Sequence, residues 1–263
     1  MTNHFPGHNP ENVDEAIKLI DQLREKITLI PATPESGSDL ANDEIATIPP
    51  VHPAQLVSLM LANAWSCLDS AREIYQPGSN RRITAIETLL RTALIASARA
   101  AFILIPEDPK ERQDNATRVA YASFQSGQRA WNELGNFKHL IDDAQGGKRV
   151  FDDVFEYFND KKYPRGEEKL IKDMLKLLVP YLQDSGDEDF LYEYLLLMWH
   201  GYSGVAHANH WQFSLSQHLM EGSGSIAVGD ITSNLLTVAQ VADYSVDLYY
   251  WKSIDRKSRM EKS

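Results

Sequence analysis

Two groups of residues in this chain have the types and spacing to do chemistry. The first lies in Glu193–His210. Glu193, His200 and His207 recur every seven residues. Seven residues is nearly two full helical turns, so the three fall on one stripe. Ser203 sits between the two histidines on that stripe, directly after Tyr202. Gly201 and Gly204 are poor helix formers, and two of them in one helix imply a close helix contact or a distortion. Imidazole donates, accepts and titrates near neutral pH. The stripe therefore suits a polar wall around a ligand, or proton transfer. The plainer reading is two buried histidines, each satisfied by a neighbouring helix.

The second group is Glu87, Arg91 and Arg99. Glu87 and Arg91 are four apart and share a helix face; Arg99 lies eight beyond Arg91, near that face. The surrounding helix is otherwise apolar, and a guanidinium there is costly unless paired. Glu87 is the expected partner. The pair reads either as a register-fixing ion pair or as an anion-binding Arg with its orienting carboxylate. The expected ligand-binding set is Glu87, Arg91, Arg99, His200, Tyr202, Ser203 and His207, with no catalytic residue, metal or cofactor among the expectations.

Motifs for specific chemistries are missing. No His-Glu-x-x-His is present to grip zinc, and no phosphate-binding or dinucleotide glycine pattern appears. The Glu-x-x-His pairs of a di-iron bundle are absent. Gly201-Tyr202-Ser203-Gly204 lacks the spacing of a hydrolase elbow. A three-histidine metal site from His139, His200 and His207 stays open, as part of an alternative metal-dependent hydrolase. Lys110, Arg112, Arg118 and Arg129, with Tyr121 and Phe124 between, could contact nucleic acid. Four such charges in twenty residues also suit an ordinary solvated helix face, which is the expectation here. Tyr244, Leu248, Tyr249, Tyr250 and Trp251 read as core or as a dimer surface.

The elements that position these groups are helices. Apolar residues recur at helical spacing over 13–30, 53–76, 80–105, 108–134, about 150–159, 166–183, 188–207 and 230–254. Proline and glycine punctuate them: Pro31, Pro106, Gly135 and Gly186 follow helix ends, and Pro53 suits a first helical position. The 80–105 segment is apolar nearly all round, which predicts a central helix. Ala93, Ala96, Ser97, Ala100 and Ala101 give it a small-residue surface for close approach. Residues 31–51 carry four prolines and little periodicity, and read as a linker that is mobile or drapes over the body. Residues 211–228 alternate apolar and polar around Gly222-Ser223-Gly224, which suggests one small hairpin.

These elements predict an all-α bundle of seven or eight helices. The expected layout is an N-terminal helix and Pro-rich arm over 1–51, a single all-α domain over 52–256, and a charged tail over 257–263.

Bulk numbers narrow the setting. The chain has 263 residues, 43% of them hydrophobic and 24% charged, which excludes a wholly disordered chain. Its formal net charge is -11, against a general nucleic-acid binder. Cys67 is the single cysteine, so no internal disulfide or Cys-rich zinc site can form. The longest apolar stretch, 93–105, is interrupted by Ser97 and Arg99 and is too short to span a membrane. The polar start has no signal-peptide pattern. A cytoplasmic location is the simplest reading, with the sequon Asn115-Ala116-Thr117 there by chance. A homodimer is expected, with a small molecule or protein as further partner.

At Leu89-Leu90-Arg91-Thr92-Ala93-Leu94, Ala101-Phe102-Ile103-Leu104 and Tyr202-Ser203-Gly204-Val205-Ala206-His207, the chain resembles a group of all-helical proteins common in actinobacteria. Arg112, Arg118 and Trp211 extend the match, which covers about residues 55–250. The resemblance implies the helical fold and no particular activity. A more distant similarity is to the helical nucleotide-associated and toxin-type ribonuclease domains called HEPN, marked by an Arg, then four to six residues, then a His on one helix. Here Arg129 precedes His139 by ten. The function expected is therefore a non-catalytic binding protein with an Arg- and His-lined pocket. The alternative is a HEPN-like ribonuclease or metal-dependent hydrolase using His200 and His207.

Overall fold

The computed structural model describes residues 10–31, 33–46, 52–75, 83–134, 167–182, 188–206 and 231–255. Among them the chain forms eight α-helices and no strand. They are α1 (Pro10–Leu29), α2 (Asp39–Ala46), α3 (Pro53–Ile74), α4 (Ile83–Leu104), α5 (Pro109–Leu134), α6 (Glu167–Leu178), α7 (Glu188–Ala206) and α8 (Ile231–Ser253). A single 3-10 turn, Val179–Tyr181, tightens the end of α6. The all-helical class follows from the sequence periodicity. The expected hairpin at 211–228 and the helix near 150–159 lie outside the described residues.

The central position expected for α4 is observed. It packs against α3, α5, α6, α7 and α8. Its small residues Ala93, Ala96, Ser97, Ala100 and Ala101 are all buried. Without large side chains in the seam, the α8 backbone comes close enough for Ser245 Oγ to donate to the Ser97 carbonyl at 3.0 Å. None of the described helices is long and apolar enough to cross a membrane.

The N-terminal segment is part of the same core. α1 lies along α8, and Ala16, Ile20 and Leu23 are fully buried in one hydrophobic cluster with Leu68, Leu90 and Val238. The linker reading of 31–51 is corrected over its middle. Residues 39–46 are helical, started by the Ser38 hydroxyl accepting from the Ala41 amide at 3.2 Å. Ser38, Asp39, Leu40 and Asp43 are buried. Eight residues are too few to show a helical period, so the signal was hidden.

What holds α2 down also corrects the reading of α5 as a solvated basic face. Arg112 is fully buried. Its Nε and Nη2 donate to the two Asp43 carboxylate oxygens at 2.6 and 2.9 Å. Its Nη1 donates to the carbonyls of Pro106 and Glu107 at 2.9 and 2.8 Å. Beside it, buried Lys252 of α8 reaches Glu107 at 2.9 Å. Arg118 pairs with Asp173 at 2.6 Å and lies over the Phe102 ring. Two of the basic charges thus tie helices together.

Candidate functional site

α4 and α7 meet and run in opposite directions. Arg91 faces Ser203, and Leu94, Ile95 and Ala98, farther along α4, face Trp199, earlier in α7. The two groups singled out in the sequence therefore share a seam.

At its first end, the Arg91 Nε donates to Ser203 Oγ at 2.8 Å. The Ser203 hydroxyl donates in turn to the Trp199 carbonyl at 2.6 Å. This corrects the expected Glu87–Arg91 pair: no ion pair joins them among the described residues. The Arg91 guanidinium turns to the serine, and its terminal nitrogens carry no ion pair within that set. Glu87 is half-buried, and burial alone pushes its carboxyl up to about 7.

Tyr202 is not an open wall. It is buried, and its hydroxyl accepts from Asn234 Nδ2 of α8 at 2.5 Å. The Asn234 side-chain oxygen accepts from the Tyr194 hydroxyl. Burial first, then the charges of Glu87 and Tyr194, hold the Tyr202 phenol well above its usual range. It acts as a spacer between α7 and α8 that keeps its proton.

Arg99 lies two turns beyond Arg91. Its Nη2 reaches Glu167 Oε1, at the start of α6, across 3.3 Å. The arginine side chain is 19% exposed and the glutamate 50%. Arg99 Nε is buried without an acceptor among the described residues, as is Trp199 Nε1. Burial lowers the Arg99 pKa; Glu167 raises it, and Arg91 presses it down further. The two guanidiniums thus lie close enough to repel.

The space enclosed by Ile95, Ala98, Met174 and Trp199 is about 10 Å³, room for one water at most. Arg91 and Ser203 at the α4–α7 contact, and Arg99 two turns along α4, make a strip of partly accessible groups. His200 is exposed, its ring 4.4 Å from that of Trp199. Of the seven residues expected to line a pocket, Arg91 and Ser203 meet, while Tyr202 is sealed in the core. His207 and His139 lie outside the described residues. Within the described residues no three His, Cys, Asp or Glu side chains come together to hold a metal ion.

Glu167, Trp199 and Asn234 were missed from sequence. Glu167 is 68 residues from Arg99, and its only visible mark was an acidic first turn, a common helix-start preference. No family model, curated protein or solved structure matches the chain.

Proposed function

We propose that the protein is a non-catalytic helical binding protein whose α4–α7 strip holds a small anion. The observation that carries this is the Arg91–Ser203 hydrogen bond. It anchors the guanidinium through Nε and orients its remaining donors, the arrangement by which arginine grips oxyanions with two parallel bonds. Arg99, two turns on, supplies a second cation. The net charge of -11 does not oppose this, because screening confines surface charge effects to about 8 Å at physiological salt. We place this activity in the cytoplasm and take the chain to act as a homodimer. Trp251, the exposed end of the α8 aromatic run, supports a dimer surface.

The test is calorimetric titration of the protein with inorganic phosphate. Arg91→Ala is expected to weaken phosphate binding at least tenfold, since a charge-assisted hydrogen bond is worth about 1.5–3 kcal/mol. Its helical circular dichroism should be unchanged, because Ser203 keeps its bond to the Trp199 carbonyl. Unaltered phosphate affinity in Arg91→Ala would end this reading, as would unfolding of the variant, which would make Arg91 a structural residue.

A further inference from the structure

The contact at Arg99 is poorly made for a structural ion pair. It is a single bond of 3.3 Å from one terminal nitrogen, to a carboxylate that is half exposed. Arg99 itself is mostly buried, and its Nε finds no acceptor among the described residues. A guanidinium committed to structure is gripped as Arg112 is, by a bidentate carboxylate and two carbonyls. Arg99 instead holds a loose carboxylate while a second guanidinium, Arg91, stands two turns away, bonded through Nε to Ser203 and with no ion pair among the described residues.

We infer that Glu167 is a displaceable plug: its carboxylate occupies Arg99 in the free protein, and a phosphate-sized dianion takes its place between Arg99 and Arg91. This rests on the anion-site reading above and adds the ligand class and its competitor. A single carboxylate satisfies one arginine. A tetrahedral dianion has oxygens enough for both, and its second charge offsets the repulsion between them. The two Cα atoms are about 12 Å apart along the helix, a span that two extended arginine side chains can close around one phosphoryl group. Glu167 starts α6, so its side chain can swing toward solvent without disturbing Leu170, Ile171 and Met174, which anchor the helix in the core. Free phosphate and a phosphomonoester present the same group.

The experiment is phosphate titration of three proteins: wild type, Glu167→Gln and Glu168→Gln. Glu168 is next in sequence but pairs with Lys172 at 2.6 Å, so its variant controls for simple removal of one negative charge. Glu167→Gln is expected to tighten phosphate binding about two- to fivefold, the range of an exposed ion pair given up. Glu168→Gln should leave phosphate binding nearly unchanged. Equal affinity in wild type and Glu167→Gln, or equal tightening in both variants, overturns the plug and leaves the anion site standing. Acetate binding as tightly as phosphate overturns the dianion. No phosphate binding by any of the three proteins removes the anion-site reading itself.

Discussion

Asp43→Ala is expected to destabilise the protein by about 3–5 kcal/mol, the cost of leaving a buried charge without its counter-ion. Arg112 and Asp43 are both inaccessible to solvent. Removing the carboxylate strands a guanidinium with two backbone carbonyls and no negative charge. Water cannot reach it unless α2 lifts away, and α2 carries fully buried Leu40 with it. Equilibrium denaturation would show the loss as a lower midpoint. The double variant Asp43→Leu with Arg112→Met separates causes. Removing both charges together should restore most of the stability, since apolar residues of similar size replace buried pairs with little or no loss. A single Asp43→Ala effect under about 1 kcal/mol would mean that the pair is solvated in solution. Arg112→Lys should not rescue function of the clasp, because an ammonium cannot make the two parallel bonds and reach the Pro106 and Glu107 carbonyls as well.

That pair also marks where the sequence stops being legible. The long helices could be read because each repeats its apolar face over several turns and ends at proline or glycine; α3, α4, α7 and α8 fall within three residues of their expected ends. α2 has only two turns, and its stability comes from Arg112, 69 residues away. No local pattern encodes such a partner. For the same reason Arg112 looked like one more cation on a solvated face, although the Pro106 turn that folds the chain back over its side chain was visible. At the candidate site, helical spacing grouped Arg91 with Arg99, and Ser203 with His200 and His207. It could not say which member of each group faces the other helix. Ser203 meets Arg91, while Tyr202, one residue earlier and about 100° round the helix, turns to α8. Spacing also offered Glu87 as the partner of Arg91, because i,i+4 proximity makes such a pair possible without requiring it.

The rejected Glu87–Arg91 pair has a consequence for stability whose sign is opposite to that of an ion pair. Burial raises the Glu87 carboxyl from an ordinary 4.5 to about 7, so the folded protein binds its proton more tightly than the unfolded chain does. Below pH 4.5 both states are protonated and this residue costs the fold nothing. Between 4.5 and 7 the unfolded chain releases the proton first, and stability falls with rising pH at about 1.4 kcal/mol for each pH unit. Above 7 both states are ionised and the full penalty, up to about 3 kcal/mol, remains. Glu87→Gln keeps the shape and removes the charge. At pH 8 it is therefore expected to stabilise the protein by up to about 3 kcal/mol, and at pH 4 to change little, as read from denaturation midpoints at the two pH values. Were Arg91 its counter-ion, the carboxyl would be held low and the same substitution would cost stability at pH 8. The sign of one measurement thus decides between a partnered and a stranded carboxylate at the head of the strip.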